Sequence, residues 1–132
     1  MATPIRRLGQ VAVPARDVVR AAAFYRDVLG LDFIWGNDRM AFFQLGQTRL
    51  FVERPELEGF DPPGSILYYD VADLDGAVAQ LEGRGVVFVD RPHHIDDLGA
   101  VAVWMAFFHD TEGNLVGLQS ERPIPAAGGS GA

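Results

Sequence analysis

Few side chains in this chain are suited to chemistry. Among its 132 residues are three histidines, His93, His94 and His109, and no cysteine. Thiolate metal sites, disulfides and a cysteine nucleophile are therefore excluded together. Imidazole exchanges a proton near neutral pH and can coordinate a metal. His93 and His94 are adjacent, and in an extended segment neighbouring side chains point to opposite sides, so both cannot serve one ion. His93, which follows Pro92 and precedes an acidic stretch, is the candidate general base. Tyr68 is the candidate hydrogen-bond donor to a developing enolate or alkoxide. Glu53, Asp70 and Glu121 are alternative bases, although carboxylates at strand ends are more commonly solvated surface groups. No nucleophile elbow is present. The run Asp110-Thr111-Glu112-Gly113-Asn114 lacks the further acidic ligands of a calcium loop and reads as a hairpin turn.

These residues have to be positioned by a small scaffold. At 14.4 kDa and 48% hydrophobic the chain can fill one core but not two ordinary domains. No run approaches the roughly 20 apolar residues of a membrane helix, and the first residues lack a secretory pattern, so a soluble cytoplasmic protein is expected. A net charge of −7 with no Lys/Arg cluster argues against a nucleic-acid partner.

The elements follow from spacing and punctuation. Leu8 to Val13 reads as a strand stopped by Pro14. Asp17 opens a helix with Val18, Ala22, Tyr25 and Leu29 on one face and Gly30 as its cap. Leu31 to Trp35, Ala41 to Leu45 and Thr48 to Glu53 read as strands. The order then repeats: a strand from Ser65 to Val71, a helix from Asp73 with Leu74, Ala77, Val78 and Leu81 as its stripe, and strands Val86 to Asp90, Val101 to Phe108 and Asn114 to Gln119. Leu29-Gly30-Leu31-Asp32-Phe33 aligns with Arg84-Gly85-Val86-Val87-Phe88, 55 positions on. The expectation is an α+β fold of two βαβββ modules enclosing a cleft. One domain over 1–122 has halves 8–53 and 65–121, a Pro/Gly/acid-rich joint at 55–64 and a disordered tail over 123–132. An irregular insertion at 91–100 is expected as a lid.

Phe24-Tyr25-Arg26-Asp27-Val28-Leu29-Gly30-Leu31 after Asp17, together with Asp110-Thr111-Glu112-Gly113-Asn114, resembles the signatures of the vicinal oxygen chelate superfamily, which unites glyoxalases, bleomycin-resistance proteins and dioxygenases. Pro92-His93-His94 and Trp104-Met105-Ala106-Phe107-Phe108 look most like small glyoxalase-like bacterial proteins. The resemblance spans residues 8–121. In metal-dependent members a divalent ion is held from the first and last strand of each half. Here the resemblance puts Gln10, Leu50, Ile66 and Gly117 at those positions, with Glu53 nearby if the register slips. Three of the four lack a donor atom, and one Gln cannot hold a hard ion against water. No cofactor is expected; Gln10, His93 and a carboxylate are the remaining route to a divalent metal.

The resemblance then implies a small-molecule site. His93 and Tyr68 are its catalytic candidates, while Gln10, Trp35, Leu50, Ile66, Trp104, Phe108 and Gly117 would line it, with the facing of the Val101 to Phe108 strand left open. Three functions fit: a metal-independent lyase or isomerase acting on a small carbonyl or aromatic compound, a binding protein that sequesters a drug or metabolite, and a metal enzyme with displaced ligands. Superfamily members commonly pair βαβββ units, so a homodimer is expected.

Overall fold

The computed structural model describes residues 3, 4, 6–55 and 65–125. Its elements run β1 (Gln10–Pro14), α1 (Val18–Ala23) prolonged by a π-helical segment (Phe24–Val28), β2 (Asp32–Gly36), β3 (Met40–Leu45), β4 (Thr48–Glu53), β5 (Leu67–Asp70), α2 (Leu74–Gly83), β6 (Phe88–Leu98), β7 (Val101–His109) and β8 (Leu115–Pro123). They build two four-stranded sheets, ordered β1-β4-β3-β2 and β5-β8-β7-β6. In each, the first strand pairs in parallel with the last and the other pairings are antiparallel. The two βαβββ modules expected from the repeat are therefore present. Gly30 and Gly85, matched by the repeat, both adopt left-handed φ angles, 77° and 93°, where a side chain would be strained. The chain divides into two compact units, Met1–Ser65 with Asp110–Asn114, and Ile66–His109 with Leu115–Ala132.

Each helix starts where an aspartate caps it. Asp17 accepts from the Arg20 N–H at 3.0 Å and Asp73 from the Gly76 N–H at 3.1 Å. In the first unit Val18, Ala21, Ala22 and Tyr25 are buried with Phe43, Leu50 and Val52 of the sheet. The rings of Tyr25 and Phe43 lie 6.1 Å apart, which identifies the sheet face that the helix covers. In the second unit Leu74, Val78 and Leu81 are buried with Ala106, Phe108, Val116 and Leu118. Arg122 of β8 reaches Asp75 of α2 at 3.4 Å, marking the covered face there.

Several sequence expectations need correction. Pro14 does not lie beyond the strand but is the last residue of β1, aligned with Glu53, since an edge strand can do without an N–H on its open side. Residues 91–100 are not an irregular lid. β6 runs through them to Leu98 and turns at Gly99-Ala100 into β7, with three register shifts along the pair. An edge strand absorbs Pro92 and its neighbouring aspartates through bulges, which composition alone does not reveal. The tail begins later than expected, because Pro123 belongs to β8 and the Ile124 N–H donates to the Ala100 carbonyl. Residues 126–132 of that tail, and 56–64 of the joint, lie outside the described residues. Among the described residues no helix is long and apolar enough to cross a membrane.

Candidate functional site

A β-sheet half covered by a helix offers its other face to ligands, and strand parity decides which side chains stand there. On the second sheet the row Tyr68, Gly117, Phe107, Asp90 crosses all four strands, and beside it runs the row Asp70, Gln119, Met105, His93. Both rows lie on the face away from α2. Tyr68 stands edge-on to Phe107 at 6.0 Å. Gly117 makes this possible: a Cβ there would come within 2.6 Å of Tyr68 Cδ1 and 3.2 Å of the Phe107 ring.

His93 is oriented by its own strand. Its Nδ1 lies 2.8 Å from the Arg91 carbonyl and 3.5 Å from Asp90 Oδ1. A carbonyl can only accept, so Nδ1 carries a proton, and in the neutral ring Nε2 is the acceptor. Asp90 is the carboxylate beside the ring. The register shift between Asp90 and His93 brings both to one face; an unbroken strand would put residues three apart on opposite faces. Sequence reasoning missed Asp90 for that reason, since a bulge leaves no local signal.

Tyr68 and His93 share the face but not a neighbourhood. They stand on opposite edge strands, three strand spacings or about 14 Å apart at the backbone, with the Tyr68 ring leaning over Gly117 toward Phe107. Gln119 and Met105 lie between them. His94 points the other way, as adjacency requires, with Nε2 2.8 Å from Asp97 Oδ1 and its ring 5.7 Å from Trp104. His109 closes β7, exposed.

The remaining expected residues divide by face. Ile66 lies just before β5, exposed, with the parity of Tyr68. Trp104 is on the α2 side, where the Arg122 guanidinium sits 4.2 Å above its ring. Phe108, fully buried, is also on that side, edge-on to Phe88. Neither lines the face that carries His93, and the parity left open by the sequence is thereby resolved. Leu50, 2% exposed, lies in the first core beneath α1.

On the first sheet, the face away from α1 carries the row Gln10, Arg49, Gln44, Asp32 and beside it Ala12, Phe51, Phe42, Trp35. Phe42 and Phe51 stack at 4.6 Å and 5°, and Trp35 follows at 6.3 Å. The Arg49 guanidinium lies 5.9 Å from the Phe42 centroid. Gln10 and Trp35 therefore stand on this face, on a different sheet from Tyr68, Gly117 and His93. The alternation of Phe42 and Phe51 with buried Ala41, Phe43, Leu50 and Val52 was visible in the sequence as strands apolar on both faces. Arg49 carried no such mark.

The segment Asp110–Asn114 is a tight turn with a structural task. Asp110, 6% exposed, accepts from the Tyr25 hydroxyl at 2.8 Å, from Asn114 Nδ2 at 2.8 Å, and from the Glu112 and Asn114 N–H groups at 2.9 and 2.8 Å. Asn114 Nδ2 also donates to the Pro14 carbonyl at 2.9 Å. Glu112 accepts at one oxygen from the N–H groups of Arg16 and Asp17 at the start of α1, both 3.0 Å, and at the other from Arg20 Nε at 2.9 Å. Burial pushes the Glu112 carboxyl up, but hydrogen bonds from Arg20, Asp17 and Thr111 and the Arg20 charge outweigh it and leave it below its ordinary value. The two most recognisable motifs of the chain thus bind each other through Tyr25 and Asp110.

The four positions at which relatives hold a metal do not form a donor set here. The cross-strand partner of Gln10 is Arg49 rather than Leu50, and a one-residue slip sends a side chain to the opposite face. Gly117 has no side chain, and the Tyr68 ring occupies the space in which one would start. Among the described residues, no group of three or more His, Cys, Asp or Glu side chains is placed to hold an ion. The residues present do not fit the superfamily's metal.

Comparison with known proteins agrees with this architecture. Residues 7–118 match the Glyoxalase/Bleomycin resistance protein/Dioxygenase superfamily, and the chain belongs to it. An uncharacterised Bacillus subtilis protein, YraH, is 27% identical over 124 residues, covering 83% of this chain and 94% of the relative. Similar solved structures include a lactoylglutathione lyase from Agrobacterium tumefaciens, 21% identical with TM-score 0.74 over 89% of this chain and 95% of that one. A superfamily member from Sphaerobacter thermophilus is 24% identical, with TM-score 0.75 over 89% and 98%. At these identities the structures establish the fold, and a fold hosts many reactions.

Proposed function

We propose that this protein binds a small carbonyl or aromatic compound and acts on it as a metal-independent lyase or isomerase, with His93 as the base. The observation that carries this reading is the clamped imidazole: Nδ1 donates to the Arg91 carbonyl beside Asp90, and Nε2 is left as an acceptor on a face lined by Met105 and Phe107. In the step proposed, a C–H bond next to the substrate carbonyl breaks and its proton passes to Nε2. The electron pair moves onto the carbonyl oxygen as an enolate, and the proton returns to carbon or to a departing group. Tyr68 anchors a remote part of the same ligand, a revision of the enolate role expected from sequence.

The test is turnover of small carbonyl compounds by wild type and His93→Ala, with circular dichroism to confirm folding. Loss of about 10²-fold in turnover with binding retained supports a base. Equal turnover excludes it. Protein purified without added metal should contain well under one divalent ion per chain, and a chelator should leave its thermal stability unchanged; stoichiometric metal would overturn metal independence.

Sequestration of a ligand without turnover is the second reading, favoured by the Trp35, Phe42 and Phe51 ladder. In that case His93→Ala shifts affinity by about 1 kcal/mol and no turnover is found. Both readings place the protein in the cytoplasm as a homodimer. Exposed Phe33 and Ile34 on the edge strand β2 support pairing, and light scattering at micromolar concentration checks it.

A further inference from the structure

The ring ladder on the first sheet is open at one end. Across the helix-free face the row reads Ala12, Phe51, Phe42, Trp35 from β1 to β2. Phe51 and Phe42 stack nearly parallel, so the second face of Phe51 looks toward β1. There β1 presents only the methyl group of Ala12, which is exposed. A parallel ring surface beside a small exposed residue leaves room for one more planar ring to continue the stack.

The charge next to that place is specific. Arg49 precedes Phe51 by two residues on the same face, about 7 Å along the strand. Among the described residues its guanidinium meets the Phe42 ring and no carboxylate. In a chain of net charge −7, an arginine held beside an aromatic ring with no acidic partner among the described residues is a local exception to the overall field. A guanidinium with free N–H donors binds carboxylates in a planar, directional way. Gln10, directly across from Arg49 on β1, adds an amide donor for the second oxygen.

We propose that this face binds planar aromatic carboxylates, the ring stacked on Phe51 above Ala12 and the carboxylate held by Arg49 and Gln10. The inference rests on the sequestration reading above, which the same ring ladder favours, and names that ligand's class: an aromatic acid whose carboxylate is attached directly to its ring, within reach of Arg49, two residues along β4 from Phe51, once its guanidinium turns from the Phe42 ring toward Gln10.

The probes are 2-naphthoate, its neutral counterpart 2-naphthylmethanol and the non-planar cyclohexanecarboxylate, titrated into ¹⁵N-labelled protein. The expected result is saturable 2-naphthoate binding with amide shifts at Ala12 and Phe51, and affinity at least about tenfold weaker for the other two. Arg49→Gln should bring 2-naphthoate and 2-naphthylmethanol to similar affinities. Phe51→Leu should weaken both naphthalenes while leaving cyclohexanecarboxylate unchanged. Should Phe51→Leu not fold, Ala12→Leu, which fills the place above Ala12, must abolish the shifts. Equal affinity for all three probes, or Arg49→Gln without effect, overturns the proposal. So does a second copy covering this face, seen as amide shifts at Ala12 and Phe51 on dilution with no response to naphthoate. A response to small carbonyl compounds at His93 with none to 2-naphthoate at Ala12 overturns this inference alone; silence at both faces overturns the functional reading as well.

Discussion

The two sheets have one strand order and opposite chemistry on their helix-free faces. The first presents stacked rings with Arg49 and Gln10; the second presents His93 with Asp90, and Tyr68 laid across Gly117. The repeat therefore fixes where side chains stand, not what they do. At equivalent places a large side chain and its absence alternate: Phe51 has the small Ala12 beside it, and Tyr68 has Gly117. In both modules a ring stands across from a small residue on the neighbouring strand.

The turns joining the last two strands of each half differ more sharply. β3 and β4 meet through a two-residue Gly46-Gln47 turn, whereas β7 and β8 are joined by a turn whose Asp110 and Glu112 are buried against residues of α1. Asp110→Ala should have the largest effect on stability, about 3 kcal/mol or more in urea unfolding, because the Tyr25 hydroxyl and two backbone N–H groups lose their acceptor. Substitution of Gln47 by Ala should change stability by less than about 0.5 kcal/mol. Equal effects would erase the distinction between the turns.

Gly117→Ala sharpens the comparison of faces. The added methyl must displace Tyr68 or Phe107, at a cost of about 1–3 kcal/mol, and ligand affinity at the second face should fall while 2-naphthoate binding at the first persists. Tyr25→Phe removes one hydrogen bond to a buried carboxylate and should cost about 1.5 kcal/mol. The smallest effect is pH-dependent. The folded-state value of Glu112 is depressed, so its contribution is fully present above the unfolded glutamate range and is lost as pH falls through the folded value. Glu112→Gln should be less stable than wild type by about 1 kcal/mol at neutral pH, and the gap should close on acidification below the usual glutamate range. A gap that widens in acid would show that the carboxylate is not what α1 requires.

Local information carried far in this chain. Asp17 and Asp73 as caps, the buried stripes of both helices, Gly30 and Gly85 as helix ends and the second βαβββ module were all legible, because capping, periodicity and left-handed glycines act within a few residues. The resemblance put Tyr68, His93, Gly117, Gln10 and Trp35 in one site; strand pairing puts Tyr68, His93 and Gly117 on the helix-free face of the second sheet and Gln10 and Trp35 on that of the first. The assignment of Leu50 failed by a single residue of register, and Trp104 and Phe108 proved to face α2. Only the tertiary structure decided these, since register between strands distant in sequence is set by pairing and burial rather than by the strands' own residues. The same holds for Asp90, brought beside His93 by a bulge in an edge strand, and for Arg49, whose place over the Phe42 ring depends on β3 lying next to β4. Sequence determined which elements exist and which residues alternate along them; the pairing of strands determined which of those residues meet, because contact across a sheet is a property of two segments at once.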